Sequence, residues 1–295
     1  MGEERLMRER GSRGGCGVGV GGRVRDRRSG VRMTCAWMLI AATVVLAPMA
    51  QADDVTGNIS VDTTWYRAGN PWTVATNVTV RQGATLTVEA GAIVEFTGNW
   101  LLTAEGSTGG AIVVQGAPYD SVYFRAQSGV SQWQGIYLSL NSASSFDYCV
   151  VLDAKTGLKL NTSDAPITHC AFRRCQTGIR CAKSSPAITS CWVSETALWG
   201  ILCDGRGPPI SQPVIYDCNL FDNAGYNVYL NDYAARVTIM AEWNWWGTTD
   251  RAEIEASIYD GNDTGGFSFV DYDPWRPQTV VEERTWGSIK ALFSD

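Results

Sequence analysis

Short runs that alternate apolar and polar residues recur through the middle of the chain and predict β-strands. One pattern, with Cys at its fourth position and apolar residues at its first and sixth, occurs at 146–151, 167–172, 188–193 and 215–220. Gly, Asn, Asp, Ser or Pro separates the runs, which leaves room for turns but not for a helix. Each unit is therefore predicted to contain a strand, a turn, a second strand and a turn.

The four units follow one another at a nearly constant interval. Cys149, Cys170 and Cys191 are 21 residues apart, and Cys218 follows after 27 because the loop 206–213 lengthens that unit. A unit of this length cannot bury an apolar face by itself, so successive units must stack. The sequence predicts one coil of a parallel β-solenoid per unit, because the leucine pattern of leucine-rich repeats is absent.

Alternation within the runs assigns side chains to the inside or the outside of this solenoid. One predicted inward column contains Leu158, Ile179, Ile201 and Val228. The neighbouring outward column contains Lys159, Arg180, Leu202 and Tyr229. Less regular strands are predicted over 57–136, at 78–80, 83–96, 111–114, 121–124 and 133–138.

The cysteines of the repeats behave as small buried apolar residues. Seven of the nine cysteines lie between Cys149 and Cys218. Side chains in register on parallel strands rarely meet the geometry of a disulfide. Buried free thiols are therefore favoured over a disulfide framework, although some rungs are close enough for a bridge.

Composition narrows the classes of function. Hydrophobic residues make up 45% of the chain and charged residues 18%, which is typical of a globular protein. Residues 53–295 hold 15 basic and 26 acidic residues, a net charge of −11, and this argues against nucleic acid as a partner. The chain has one histidine, His169, so a multi-histidine metal site is excluded. His169 falls at a predicted turn, where a catalytic base is not expected.

The amino-terminal region predicts export. The apolar run 36–47 is too short to span a bilayer and is followed by Ala50-Gln51-Ala52, a small-x-small cleavage pattern. Residues 33–52 are therefore predicted to be a signal peptide cleaved after Ala52. Residues 1–32, with nine Arg and four acidic residues, form a basic extension or reflect a misassigned start. We expect a secreted, periplasmic or cell-surface protein whose mature chain has no transmembrane segment.

Several segments carry a resemblance to a known family. The run from Val78 to Phe96 and the segment Trp133-Gln-Gly-Ile136 resemble the opening coils of secreted bacterial right-handed parallel β-helix repeat proteins. Asn244-Trp-Trp-Gly247 and Val270-Asp-Tyr-Asp-Pro-Trp275 are similar to their closing segment. The resemblance covers 57–275 and implies an all-β, single-stranded right-handed parallel β-helix. Because the family includes polysaccharide lyases, glycosidases and adhesins, it implies little about function.

The solenoid is predicted to occupy 53–276 and to end in an aromatic-rich cap, because an open last coil would expose its core. The cap residues are Trp243, Trp245, Trp246, Tyr272 and Trp275. Residues 277–295 form a polar linker and a short tail. Trp286, Ile289, Leu292 and Phe293 have helical spacing. This amphipathic tail is a helix docked on the cap or a short sorting or partner-binding segment.

Few residues suggest catalytic chemistry. Lys159 and Arg180 form a basic pair on adjacent coils, which a β-helix lyase would combine with a Ca²⁺ site, but a solvated face is the favoured interpretation. No pair of aspartates is placed to flank a sugar bond as a glycosidase requires. The loop 259–266 is a candidate Ca²⁺ site through Asp260, Asn262 and Asp263, or an ordinary turn. No other cofactor is expected.

Outward tryptophans are candidates for stacking on a sugar ring. Trp133, Trp192 and Trp199 lie near loops or at outward positions, where they either bind a sugar or cover turns. The sequence thus predicts an exported, monomeric, non-catalytic surface or extracellular module that binds polysaccharide or cell-surface components. Its predicted ligand-binding residues are Lys159, Arg180, Trp192 and Tyr229. The alternatives are a polysaccharide lyase or glycoside hydrolase with an unrecognised site, and a purely architectural surface protein.

Overall fold

The computed structural model describes residues 54–140, 143–233, 236–266 and 268–277. The described chain winds into coils, and in each coil it crosses three faces in turn. Parallel strands of successive coils pair along each face. The predicted extension 1–32, signal peptide 33–52 and tail helix lie outside the described residues. No helix in the described part of the chain is long and apolar enough to cross a membrane.

Face 1 is a sheet of nine strands. They are β2 (Thr63–Trp65), β4 (Thr85–Glu89), β7 (Ala111–Gln115), β10 (Ser145–Asp147), β13 (Ile167–Thr168), β16 (Ala187–Thr189), β19 (Val214–Tyr216), β22 (Thr238–Met240) and β24 (Phe269–Asp271).

Faces 2 and 3 belong to one sheet that bends through β1 (Asp54–Ile59) and β3 (Trp72–Val80). Face 2 contains β5 (Ile93–Phe96), β8 (Val122–Ala126), β11 (Cys149–Leu152), β14 (Ala171–Arg173), β17 (Trp192–Ser194) and β20 (Asn219–Phe221). Face 3 contains β6 (Leu101–Glu105), β9 (Trp133–Ser139), β12 (Ala154–Asn161), β15 (Thr177–Ala182), β18 (Trp199–Asp204), β21 (Tyr226–Asn231) and β23 (Ile258–Tyr259). The all-β parallel β-helix predicted from the sequence is confirmed.

The core lies inside the coils and consists of in-register apolar columns. Leu158, Ile179, Ile201 and Val228 are paired in this order and are fully buried, as the alternation predicts. The seven cysteines between Cys149 and Cys218 are also buried and occur as free thiols. Cys149 Sγ lies 3.3 Å from Cys170 Sγ, well beyond the roughly 2.05 Å of a disulfide bond.

The corners between faces place residues other than glycine in the left-handed backbone region. Tyr148, His169, Ser190 and Asp217 occupy the same corner between faces 1 and 2, with φ values from 47 to 56°. This confirms the turn position predicted for His169. Its ring stacks on that of Tyr148 with centroids 4.3 Å apart, and its Nδ1 lies 2.9 Å from Oδ1 of Asp147.

Glycine is required at positions where neighbouring coils approach closely, and Gly178 is one of them. A Cβ on Gly178 would lie 2.6 Å from the carbonyl oxygen of Gly200 and 2.7 Å from Cγ1 of Val193. We expect Gly178→Ala to lower the free energy of unfolding by about 1–3 kcal/mol, because a filled core must shift to accept the methyl group. Urea titration measures this. Gly98→Ala is the control, since the added Cβ meets only the side chain of Trp100, and equal midpoints for the two variants would contradict the expectation.

The aromatic cap is confirmed for most of its predicted residues. Trp246 is buried, and Tyr272 and Trp275 pack against the same core from the outside. Trp245 pairs with β20 and so prolongs face 2 by one rung. Trp243 was predicted to help close the end, but it occupies a corner with positive φ and is 46% exposed.

Asn244 and two short helices complete the cap. The buried Asn244 side chain donates from Nδ2 to the carbonyl oxygens of Ile215 and Ala241, and its Oδ1 accepts from the backbone N–H of Cys218. Three backbone groups around this corner are thereby satisfied. The helices are α1 (Arg251–Ala256) and α2 (Gly261–Thr264), and the sequence analysis predicted neither. Two single turns of 3₁₀ helix occur earlier, at Arg67–Gly69 and Gly106–Thr108.

Candidate functional site

The outward side of face 3 brings together three of the four predicted ligand-binding residues. Lys159, Arg180 and Tyr229 lie in one column of in-register positions, as predicted. Leu202 lies between Arg180 and Tyr229 in this column, which continues through Tyr137 and Thr103 on one side and through Tyr259 on the other. Because neighbouring strands are about 4.8 Å apart, the column is a straight row of side chains across the face.

Lys159 interacts with an aromatic ring on the preceding coil. Its Nζ lies 4.7 Å from the centre of the Tyr137 ring, within the range of a cation–π contact. The hydroxyl of Tyr137 accepts a hydrogen bond of 3.0 Å from Nδ2 of Asn161. Lys159, Tyr137 and Asn161 therefore form a polar cluster near the middle of face 3, and Lys159 supplies its positive charge.

Arg180 is part of a series of alternating charges. Its Nη2 donates to Oδ2 of Asp204 at 2.9 Å, and Nε of Arg206 donates to Oδ2 of Asp232 at 2.5 Å. Asp204 also lies within 3.9 Å of Nε of Arg206. Each of these carboxylates is held by an arginine. The predicted basic pair is therefore present in register, but the charge of Arg180 is balanced by Asp204.

Four aromatic side chains form a patch at the carboxyl-terminal end of face 3, which we call the aromatic patch. Its members are Trp199, Tyr226, Tyr229 and Tyr259. Tyr229 and Tyr259 stack with centroids 4.5 Å apart and an interplanar angle of 9°, while Trp199 lies 5.1 Å from Tyr229. All four are partly exposed, and Leu202, buried in the same outward column, lies next to Tyr229.

Packing within the patch raises the pKa of the Tyr229 phenol. The largest cause is partial burial, which disfavours the charged phenolate. The neighbouring hydroxyls of Tyr259 and Tyr226 contribute less and in the same direction. The hydroxyl therefore stays protonated and remains a hydrogen-bond donor throughout the neutral pH range. Trp199 and Tyr229 are among the candidates predicted from the sequence. Tyr226 and Tyr259 are not, although Tyr226 follows in register from Trp199.

A shallow cavity of about 490 Å³ opens beside the patch. Tyr229 and Tyr259 form one side of it, and Asn231, Asp232 and Thr264 contribute polar atoms. The site therefore combines partly exposed rings with a polar pocket at one end, an arrangement that suits a ligand with both apolar faces and hydroxyl groups.

The other predicted tryptophans lie elsewhere. Trp133 is fully buried, stacks on Phe96 with centroids 3.8 Å apart and donates from Nε1 to the carbonyl oxygen of Leu152 at 2.7 Å. Trp133 does lie next to a loop, as the first residue of β9, but its ring is turned into the core, so the prediction that it could stack on a sugar is wrong. Trp192 is outward, but it lies on face 2, where its Nε1 donates to Oγ of Ser194. It packs there on a small outer apolar cluster made by Val150, Leu152 and Ala171.

The acidic loop predicted as a Ca²⁺ site caps α2. Oδ1 of Asp260 accepts from the N–H of Asn262 and its Oδ2 from the N–H of Val270, while Oδ2 of Asp263 accepts from the N–H of Asp260. Three of the four carboxylate oxygens therefore face backbone donors, which fits a Ca²⁺ shell of six to eight oxygens poorly. No group of three or more His, Cys, Asp or Glu side chains in the described ranges is arranged to hold a metal ion. The Ca²⁺ site stays a prediction.

Comparison with known proteins agrees with the architecture. Residues 66–210, just under half of the chain, match the family model described as a right handed beta helix region. A search of curated proteins and a search of solved structures each gave no match. The matched residues include most of the strands of face 3 and end before the last rungs of the aromatic patch.

Proposed function

Since this chain is a right-handed parallel β-helix, we propose that it is an exported module that binds a polysaccharide along the outward side of face 3. The observation that carries the proposal is the aromatic patch, in which four partly exposed rings lie on one parallel sheet as two in-register pairs, Trp199 with Tyr226 and Tyr229 with Tyr259. Rings at such positions can stack on the apolar faces of sugars, while their hydroxyls remain available as donors. The export itself rests on the predicted signal peptide.

The remainder of face 3 suits an extended ligand. The patch lies at one end of the outward column, and Arg180, Lys159 and Tyr137 follow on preceding coils. A sugar chain laid across the rungs would meet aromatic faces first and then charged and hydroxyl groups. The pocket beside Tyr229 and Tyr259 adds polar partners at the end of this path.

A binding role accounts for the carboxylates of this face better than catalysis does. A glycosidase needs two carboxyl groups facing one sugar bond. On face 3, Asp204 and Asp232 are instead each bound by an arginine. For the glycoside hydrolase, one of the predicted alternatives, these two carboxylates therefore give no support.

The proposal is tested with a double substitution in the patch. Affinity electrophoresis through gels containing a panel of neutral and acidic polysaccharides identifies a retaining glycan. Tyr229→Ala with Tyr259→Ala is expected to weaken that retention at least about tenfold, because each stacked ring contributes on the order of 1 kcal/mol.

Trp192→Ala is the matched control for face 2. It removes an aromatic ring of similar exposure from the outward side of a different face, and retention should stay unchanged. Absence of retention on every polysaccharide would refute the proposal. Loss of retention in Trp192→Ala with no effect of the double substitution would place the ligand on face 2 instead.

A further inference from the structure

The outward side of face 1 changes character along the solenoid. One outward column starts with polar side chains on successive coils and ends in an aromatic residue. Its members, in order, are Glu89, Gln115, Asp147, Thr168, Thr189 and Tyr216. The change occurs where the last three strands of this face begin, at β19.

Four large apolar side chains are exposed on these last strands. Val214 is 47% exposed, Tyr216 48%, Met240 42% and Phe269 37%. Val214 is in register with Met240, and Phe269 pairs with Thr238 on the same strand as Met240. We call this group the apolar strip. A contiguous apolar group of this kind on an otherwise polar face marks a surface that another segment covers.

The described chain ends next to the apolar strip. The N–H of Trp243 donates to the carbonyl oxygen of Pro274, and the N–H of Arg276 donates to that of Asn244. Residues 274–277 therefore run alongside 243–244, at the corner that joins face 1 to face 2 and follows β22 and β24, the strands of Met240 and Phe269. The chain beyond Pro277 starts one corner away from the strip.

We propose that residues 284–295 of the same chain pack their apolar side chains on the apolar strip. The spacing of Trp286, Ile289, Leu292 and Phe293 places them along one side of a helix. The nine residues from Pro277 to Trp286 can span up to about 30 Å, so the linker reaches the strip easily. A helix over 284–295 would be about 18 Å long, enough to cover the three rungs of the strip.

Photo-crosslinking in the full chain tests the proposal directly. With p-benzoylphenylalanine introduced at Met240, irradiation should yield a product of monomer mass whose crosslinked peptide comes from residues 285–295. The same probe at Thr87, on the outward side of the same face near the other end, should give no such product. Crosslinks between two chains would overturn the proposal in favour of a dimer interface. Crosslinks only to other parts of the same chain, or none, would also overturn it.

Limited proteolysis gives an independent measurement. Val214→Thr with Met240→Thr puts at the strip the residue type found at Thr168 and Thr189, so folding should be retained and circular dichroism checks this. Trypsin cleavage after Arg284 and Lys290 should become at least about tenfold faster, because the segment would spend more time undocked. Equal cleavage rates in the parent chain and the variant would contradict the docking. The result is independent of glycan binding, since the strip and the aromatic patch lie on different faces.

Discussion

The free energy of unfolding is expected to fall steeply as the pH rises above about 9. The cause is a group of core thiols whose ionisation is strongly disfavoured while the chain is folded. Burial is the first cause in each case, and it raises the pKa of six cysteines. These are Cys170, Cys175, Cys181, Cys191, Cys203 and Cys218.

The direction follows from proton linkage. Burial raises the pKa of the Cys175 and Cys203 thiols from the ordinary 9.0 to about 12. Below pH 9 the thiols are protonated in both the folded and the unfolded chain, so the stability is fully present. Between about 9 and 12 the unfolded chain releases protons that the folded chain keeps, which favours unfolding. Each such thiol then removes roughly 1 kcal/mol per pH unit, and six act together.

Urea titrations between pH 7 and pH 10.5 under reducing conditions measure this loss. The double variant Cys170→Ala with Cys191→Ala is the control, because it keeps every tyrosine and lysine but removes two of the six thiols. Its free energy of unfolding should fall by about a third less per pH unit. Identical pH dependence in the two proteins would show that the thiols are not responsible.

A second large effect is expected for Trp133→Ala. This substitution should lower the free energy of unfolding by about 3–5 kcal/mol, because it removes a fully buried indole and leaves a cavity beside Phe96. It also removes the donor that satisfies the carbonyl oxygen of Leu152. Thermal and urea denaturation followed by circular dichroism measure the change.

Trp199→Ala is the comparison that separates stability from binding. Both tryptophans begin strands of face 3, but the indole of Trp199 is partly exposed in the aromatic patch. Its loss should change the free energy of unfolding by about 1 kcal/mol or less, while weakening retention on the polysaccharide. If Trp199→Ala destabilised the protein as much as Trp133→Ala, the patch would be a structural element and not a binding surface.

The repeat made most of the fold predictable. The interval of 21 residues aligned Lys159 with Arg180, and alternation then assigned the inward and outward columns correctly. The irregular first half was harder, because no cysteine marks its coils. There the strand β6 was missed, although its alternating Leu102 and Ala104 continue an inward column.

The sequence predicted the site less completely than the fold. Register along one face follows from the repeat, but the corners decide which outward residues share a face, and a single unit does not show where a corner falls. Trp192 and Tyr229 were therefore grouped although they lie on faces 2 and 3. The inward orientation of Trp133 was missed because its partner Phe96 lies on another face, one coil earlier. The helices α1 and α2 were not predicted, because no segment of the repeat corresponds to them.

The coil-by-coil pairing has a consequence for how this kind of chain can change length in evolution. Each strand of a face exchanges hydrogen bonds only with the coils before and after it. Duplication of one complete unit would therefore insert a rung and lengthen face 3 by about 4.8 Å, while the aromatic cap remains intact. Insertion of a single residue within a strand would instead turn its inward side chains to the solvent. Homologous chains should accordingly differ by whole coils or by loops at the corners, such as 206–213. Under the proposed binding role, the extent of face 3 would then set how long a stretch of polymer each chain accommodates.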